Sequence, residues 1–457
     1  MRSQRIGQAL SVGVILFLLL GLVHSVFPQT PAVRNQRNGR TFMTLSAAIA
    51  DAGTMNGDLL YVRGIINEAA PVIVDKALTI AGAPFFGGEI RGAGPTAANP
   101  AVLDVTDRPG RVLIQGLRIR VPTAAFPVHG IFSDTTDGMA ASEGSSWPLH
   151  VYNCIIEQDP AAAAGAGITG ITILNQLGDA TVGIVQNTIR GRDFSPAAIV
   201  VDGFGQDFVA GIRSNRVEVQ AGGNAPAAGN LASNNATGGI LVSDIPLAAT
   251  ESLPNNVMVA ANRLIGTADP TNAGIGIAML DTPGAAVSGN SIRGFQDAEY
   301  GFGIFIGSAR GGAMNTSDFY DHLNDGSDAA RVTGNFIANN RIGVGVDCTI
   351  LTVEETLSNF SNGTLVQRNT ITMNTQGLDF GLTSAGVVRM NAMAMPNLPG
   401  YNLTGSFNYW SVASGPSNAG CPGTGQMVRA ADATFECGTS ANRVLVTPVA
   451  IFPPITL

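Results

Sequence analysis

One short phrase recurs along the chain and restricts its fold more than any other feature: apolar residues, an asparagine, any residue, then an apolar residue. It reads Val151-Tyr-Asn153-Cys-Ile155, Ile184-Val-Gln-Asn187-Thr-Ile189, Ile212-Arg-Ser-Asn215-Arg-Val217 and Val259-Ala-Ala-Asn262-Arg-Leu264. It continues as Val287-Ser-Gly-Asn290-Ser-Ile292, Val332-Thr-Gly-Asn335-Phe-Ile337, Val366-Gln-Arg-Asn369-Thr-Ile371 and Val388-Arg-Met-Asn391-Ala-Met393, with a degenerate copy at Asn408-Tyr-Trp410. The asparagine intervals are 34, 28, 47, 28, 45, 34, 22 and 17 residues. A constant phrase at variable intervals describes one structural unit repeated with insertions.

A second phrase falls between copies of the first: glycine, then alternating β-formers. Examples are Gly130-Ile-Phe132, Gly239-Ile-Leu-Val242, Gly274-Ile-Gly-Ile277, Gly303-Ile-Phe-Ile306, Gly343-Val-Gly-Val346 and Gly377-Leu-Asp-Phe380. Period-two runs of this length are short strands, and helical periodicity is absent here. The shortest complete repeat, Asn369 to Asn391, is 22 residues, about one coil of a parallel β-helix. A lone strand cannot bury its face, but coils stacked at the ~4.8 Å strand spacing pair every backbone group. Stacking also makes ladders of like side chains. Asparagine tolerates the left-handed conformation at a corner, and its amide can bond the next one. These asparagines are therefore expected as corner residues rather than ligands. Five coils separate the phrases carrying Cys154 and Cys348, about 24 Å at ~4.8 Å per coil, too far for a disulfide. Both are expected as free thiols.

The N-terminus places Arg2 and Arg5 before an apolar run, Ala9 to Val23, followed by His24 and Ser25. That order is a secretory signal, with a retained anchor as the alternative. No second run reaches spanning length, so the mature chain is expected outside the cytoplasm, free or tethered, without a transmembrane domain. The expected divisions are signal 1–25, linker 26–40, β-helix 41–410, and C-terminal cap and tail 411–457. An oxidising compartment makes a Cys421–Cys437 disulfide plausible. Basic residues number 25 against 33 acidic, and Lys76 is the one lysine. With net charge −8, nucleic acid is excluded as a main partner, and a catalytic lysine is improbable.

The ends of the repeat region carry a resemblance. Thr41-Phe-Met-Thr-Leu-Ser46-Ala-Ala-Ile49-Ala-Asp51 reads as a short helix with Ser46 as its N-cap. Gly57-Asp-Leu-Leu-Tyr-Val62, Glu68, Val72-Ile-Val and Asp75-Lys-Ala-Leu-Thr-Ile80-Ala-Gly82 follow. This order resembles the first coils of pectin-lyase-like right-handed parallel β-helix proteins. Asn408-Tyr-Trp410-Ser-Val-Ala-Ser-Gly415-Pro416 is similar to the phrase that closes many of them, with Ser411 where glycine is usual. The resemblance spans about residues 41–437. It implies an all-β single right-handed parallel β-helix with a short N-terminal capping helix. It does not imply one activity, since the superfamily includes lyases, hydrolases, epimerases, adhesins and tailspikes.

The enzyme motifs of those groups are missing. There is no Asp-Asp pair, no Gly-His-Gly, no Asp-Pro-His and no Arg-x-Pro-x-x-Arg. The four histidines, 24, 129, 150 and 322, lack zinc spacing, and no phosphate loop is present. The insertions do cluster after the glycine strand, at 133–149, 243–256, 307–330 and 347–364, which places them on one face. Asp134, Asp202, Asp244, Asp281 and Asp347 recur where that strand ends. They are expected either as a line of carboxylates for Ca²⁺ or glycan hydroxyls, or as ordinary turn residues.

The longest insertion holds Asp318, Tyr320, Asp321, His322, Asp325 and Asp328. Tyr320, Asp321 and His322 are candidate acid–base groups, and Arg293 could neutralise a uronate. Asp321, Asp325 and Asp328 are a candidate Ca²⁺ set that lacks full EF-hand spacing, and a solvated polar loop is the alternative. Trp147 and Asp134 are candidate glycan contacts, Trp147 by stacking on a sugar ring or else as a loop anchor. The expected function is a secreted β-helix scaffold that binds a polysaccharide or cell-surface glycan, or serves as a structural or adhesive protein. The alternative is a polysaccharide-cleaving lyase or hydrolase. A copper-handling role lacks ligands.

Overall fold

The computed structural model describes residues 32–83, 87–92, 94–105, 110–134, 148–160, 167–176, 181–192, 194, 196–204, 209–220, 238–245, 256–267, 274–280, 282–296, 301–307, 330–346, 364–372, 374 and 376–380. It also describes strands at 402–404, 409–410, 428–429, 435–437 and 443–445. The chain winds as a single right-handed parallel β-helix with three sheets. Each coil supplies one strand to each sheet in turn. One coil reads Leu149–Tyr152, Ile155–Gln158 and Ile168–Gln176, and the next reads Thr181–Val185, Thr188–Gly191 and Ala197–Phe204. The second sheet holds eleven strands and the third ten, so the coil repeats the length of the described region.

The interior is built from rows of like side chains. Ile66, Ile90, Ile119, Ile156, Ile189, Val217, Leu264, Ile292, Ile337 and Ile371 follow one another along the second sheet, all buried. Alternation explains this: the odd residues between them face out, so one register slip would reverse the whole face. Gly130, Gly170, Gly239, Gly276, Gly303 and Gly343 share an inner row of the third sheet, where a Cβ on Gly276 would lie 2.5 Å from the Gly303 carbonyl. Gly276, not Gly274, is the repeat glycine of its coil.

The asparagine corner differs from expectation in two ways. The left-handed residue is the one before the asparagine, as at Gln186, Ser214, Ala261 and Arg368. The asparagine itself is buried, at 0–1% exposure for Asn187, Asn215, Asn262, Asn290, Asn335 and Asn369. From Asn215 to Asn369 each Oδ1 accepts from both the backbone N–H and the Nδ2 of the preceding rung, at 2.9–3.0 Å. Each Nδ2 of the rungs from Asn187 to Asn335 also reaches a carbonyl of the coil before, as Asn262 does to Ile212 at 2.9 Å. Asn153 does not belong to this ladder. It takes the left-handed position, with φ 51°, and Cys154 takes the rung. A second, short ladder joins Asn340 to Asn374.

The N-terminal end is closed by the helix α1, Leu45–Ala50, which packs Leu45, Ala48 and Ile49 into the core. Its N-cap is Thr44, whose hydroxyl accepts from the Ala47 N–H, and not Ser46. Ser46 is inside the helix because the Glu68 carboxylate stands over the first turn, accepting from the Leu45 N–H at 2.6 Å and the Ser46 hydroxyl at 2.8 Å. A carboxylate satisfies helix N-terminal donors and suits their partial charge. The stretch expected as a linker to residue 40 is partly cap: Val33–Asn35 pairs antiparallel with Thr41–Phe42 and with Leu59–Val62. At the far end, 443–445 pairs parallel with 402–404, and 428–429 and 435–437 add antiparallel strands. Among the described residues no helix is long and apolar enough to cross a membrane.

Candidate functional site

The outer face of the second sheet carries most of the charge organised by the fold. The residues one and three places after each rung of the ladder point outward, and parallel register stacks them. One row runs Ile65, Glu89, Arg118, Ile155, Thr188, Arg216, Arg263 and Ser291. The adjacent row runs Asn67, Arg91, Arg120, Glu157, Arg190, Glu218, Ile265 and Arg293. Seven arginines thus share a face with three glutamates, a surplus of four positive charges in a chain of net charge −8. Six coil steps separate Arg91 from Arg293, about 29 Å at ~4.8 Å per step.

The glutamates pair with Arg91, Arg118, Arg120, Arg190 and Arg216, and cover Arg120 the most. Arg120 lies between Glu89 at 3.5 Å and Glu157 at 3.2 Å, while Arg190 and Arg216 both contact Glu218. Burial works against the Glu218 charge, but Arg216 and Arg190 hold its carboxyl below the ordinary carboxylate range. Arg91, Arg118 and Arg216 stay more than 40% exposed, and Arg263 and Arg293 are exposed. A guanidinium grips a carboxylate with two parallel donors, so a line of them suits an extended polyanion.

The third sheet, where the acidic loops were expected to converge, presents a different surface. His129 is largely buried, stacks against Phe132 with ring centroids 5.1 Å apart, and places Nδ1 2.8 Å from Thr172 Oγ1. Burial pushes the imidazole down to about 4. Asn99 donates to the Asp104 carboxylate nearby on the preceding strand. Further along, the outer face turns apolar, with Ile275, Phe302, Phe305 and Ile342 buried in a cluster of their own.

The expected line of carboxylates is broken. Asp134 closes its strand but pairs with Leu174 in the next coil. Asp202 pairs with Ser243, whose hydroxyl donates to it at 2.9 Å, and Ser243 pairs with Leu280. Asp244 stands one place along, opposite Gly203. Leu174 and Leu280 stand in the neighbouring positions, and Asp134, Asp202 and Asp244 lie within their strands rather than in turns.

Arg293 belongs to the second sheet's arginine face, not to the face from which the long insertion leaves. Trp147, Tyr320, Asp321, His322, Asp325 and Asp328 lie outside the described residues, as do Asp281, Asp347 and Cys421. Among the described residues no group of three or more His, Cys, Asp or Glu could hold a metal ion. Cys154 is a free, buried thiol, as expected. The arginine face was missed in the sequence, although its signal sits inside the recurring phrase: Asn187-Thr-Ile-Arg190, Asn215-Arg-Val-Glu218, Asn262-Arg-Leu and Asn290-Ser-Ile-Arg293. Reading the phrase by columns, rather than by its apolar frame, exposes it.

No family model and no curated protein matches the chain. Among solved structures it is similar to a complex of the alginate lyase AlyF-OU02 with G6, at 13% identity, a TM-score of 0.44, and coverage of 79% of this chain. The chain spans 60% of that protein's length. It is also similar to a mannuronic acid specific polysaccharide family 6 lyase from human gut microbiota. That match has 13% identity, a TM-score of 0.34, and covers 80% of this chain and 77% of the other.

Proposed function

We propose that this protein is an exported β-helix scaffold that binds an acidic polysaccharide along the outer face of its second sheet. The observation that carries the reading is the aligned arginine surplus, Arg91 to Arg293, on a rigid face of an otherwise acidic chain. The coil spacing offers regularly placed forks to a ligand whose carboxylates also repeat regularly. Binding of this kind is steered by charge and weakens as salt rises. The test is retention of the purified chain on immobilised polyuronate and on neutral dextran, from low to high sodium chloride. Retention on polyuronate alone, lost with salt, supports the reading. Equal retention on both, or none on either, rejects it.

Cleavage of a polysaccharide on the third sheet's outer face, apart from the arginine track, is the second reading, and one observation favours it. His129 is held neutral on the third sheet's outer face, and a neutral imidazole is the form that accepts a proton. New reducing ends or unsaturated products, absent in His129→Ala, would establish it.

A further inference from the structure

The arginine face ends in a groove. Where its first row begins, a trough of about 430 Å³ opens between the corner and the second sheet. Its walls are Ile65, Glu89, Arg118 and Ile155, and its floor is the backbone of Gly87 and Gly116. A Cβ on Gly87 would meet nothing within 4 Å, so the space above it is open rather than packed. The same left-handed corner is held by Gly116 and Asn153 at the groove, and by Gln186, Ser214, Ala261, Gly289, Gly334 and Arg368 in the later coils. Ile65 is 55% exposed, so its apolar side chain is open to a ligand at the groove's edge.

Resting on the reading above, we infer that this groove seats one end of the polysaccharide by holding a uronate ring. A pyranose has apolar C–H faces and a rim of hydroxyls. Ile65 and Ile155 supply apolar contact for those faces. Arg118 supplies a two-pronged donor for the ring carboxylate. Glu89, held by Arg91 and Arg120, keeps an acceptor for a hydroxyl. The volume falls in the range of small-molecule sites. The groove is continuous with the arginine row through Arg118, so a ring seated there extends its chain over Arg216 and Arg263. Charge complementarity selects an acidic sugar over a neutral one.

The test titrates the full chain with a uronate tetrasaccharide and with a neutral tetrasaccharide, read by affinity and by the isoleucine methyl signals of Ile65 and Ile155. The uronate should shift both methyls and the neutral sugar neither. Ile65→Asp should weaken the tetrasaccharide at least tenfold, and Arg263→Ala less than twofold. Shifts confined to other residues, or an Ile65→Asp variant that binds as wild type, would overturn the groove while leaving polymer binding to Arg190, Arg216 and Arg263 intact. Tetrasaccharide binding at Ile65 without polymer retention would uphold the groove and reject the extended track. Binding of neither ligand rejects both.

Discussion

Cys154 occupies in its coil the place that Asn187 occupies in the next. The Cys154 N–H donates to Asn187 Oδ1 at 2.9 Å, as each later rung does to its successor. Its Sγ lies 3.7 Å from the Ile114 carbonyl, and Asn187 Nδ2 donates to the matching Val151 carbonyl at 3.0 Å. A thiol is thus a weak stand-in for an amide at the head of the ladder. Cys154→Asn should restore the stronger donor and raise the urea unfolding free energy by about 1 kcal/mol, the net worth of one hydrogen bond. Cys154→Val, which keeps the volume and loses the polar atom, should lower it. Burial pushes the thiol up to about 12, so a variant retaining only Cys154 should not react with a disulfide reagent until unfolded.

The ladder's interior is costlier to break than its head. Asn262 accepts from the Asn215 N–H and Nδ2, and donates to Ile212 and Asn290. Asn262→Ala strands several buried groups at once, and each unsatisfied one costs about 1–3 kcal/mol. We expect a loss near the upper end of that range or above, measured by urea denaturation. A change under about 0.5 kcal/mol, the level of an ordinary surface substitution, would contradict the ladder's role.

The inner glycine row is set by close approach. A Cβ on Gly239 would lie 2.4 Å from both the Gly276 carbonyl and Leu264 Cδ2. Gly239→Ala should cost about 1–3 kcal/mol through overpacking. An unchanged thermal midpoint would show that the coil spacing relaxes freely.

Stability should fall with acid in two steps. The buried His129 imidazole is at about 4, below its ordinary 6.5, so the unfolded chain takes up a proton that the native chain refuses. Native stability therefore drops between about pH 6.5 and 4, by roughly 3 kcal/mol. Burial also opposes the charge on Asp58, but Arg37, the Met55 N–H and Asn35 outweigh it and hold that carboxyl at about 2. Its contribution, roughly 2 kcal/mol, is full above about pH 4 and is lost as pH falls toward 2. Urea unfolding across this range checks both, and His129→Gln should flatten the upper step. A flat profile in the wild type from pH 7 to 4 would contradict the first.

The fold was legible because its repeat is written in residues that solenoid geometry demands. Ile189, Val217 and Leu264 fill one inner row, and Asn187 to Asn369 mark one corner. The exact rung was not legible: Tyr152-Asn153-Cys154 reads as a ladder phrase, yet the corner needs a left-handed residue first, and Asn153 supplies it. The site was less legible still. Arg190, Arg216 and Arg263 are far apart in sequence and acquire a common face only through parallel register. Aspartates at strand ends drew attention through recurrence, yet recurrence in chain position does not guarantee a shared row, as Leu174 opposite Asp134 shows.

The central claim is that one face, rather than charge in general, holds the polysaccharide. The direct measurement is polyuronate affinity at fixed salt for two triple variants of equal charge loss. One removes Arg190, Arg216 and Arg263 from the second sheet. The other removes Arg213, Arg331 and Arg368, of which Arg213 and Arg331 lie on the first sheet and Arg368 at the corner beside it. We expect the first to lose at least tenfold in affinity and the second less than threefold. Equal losses in the two variants would contradict the claim.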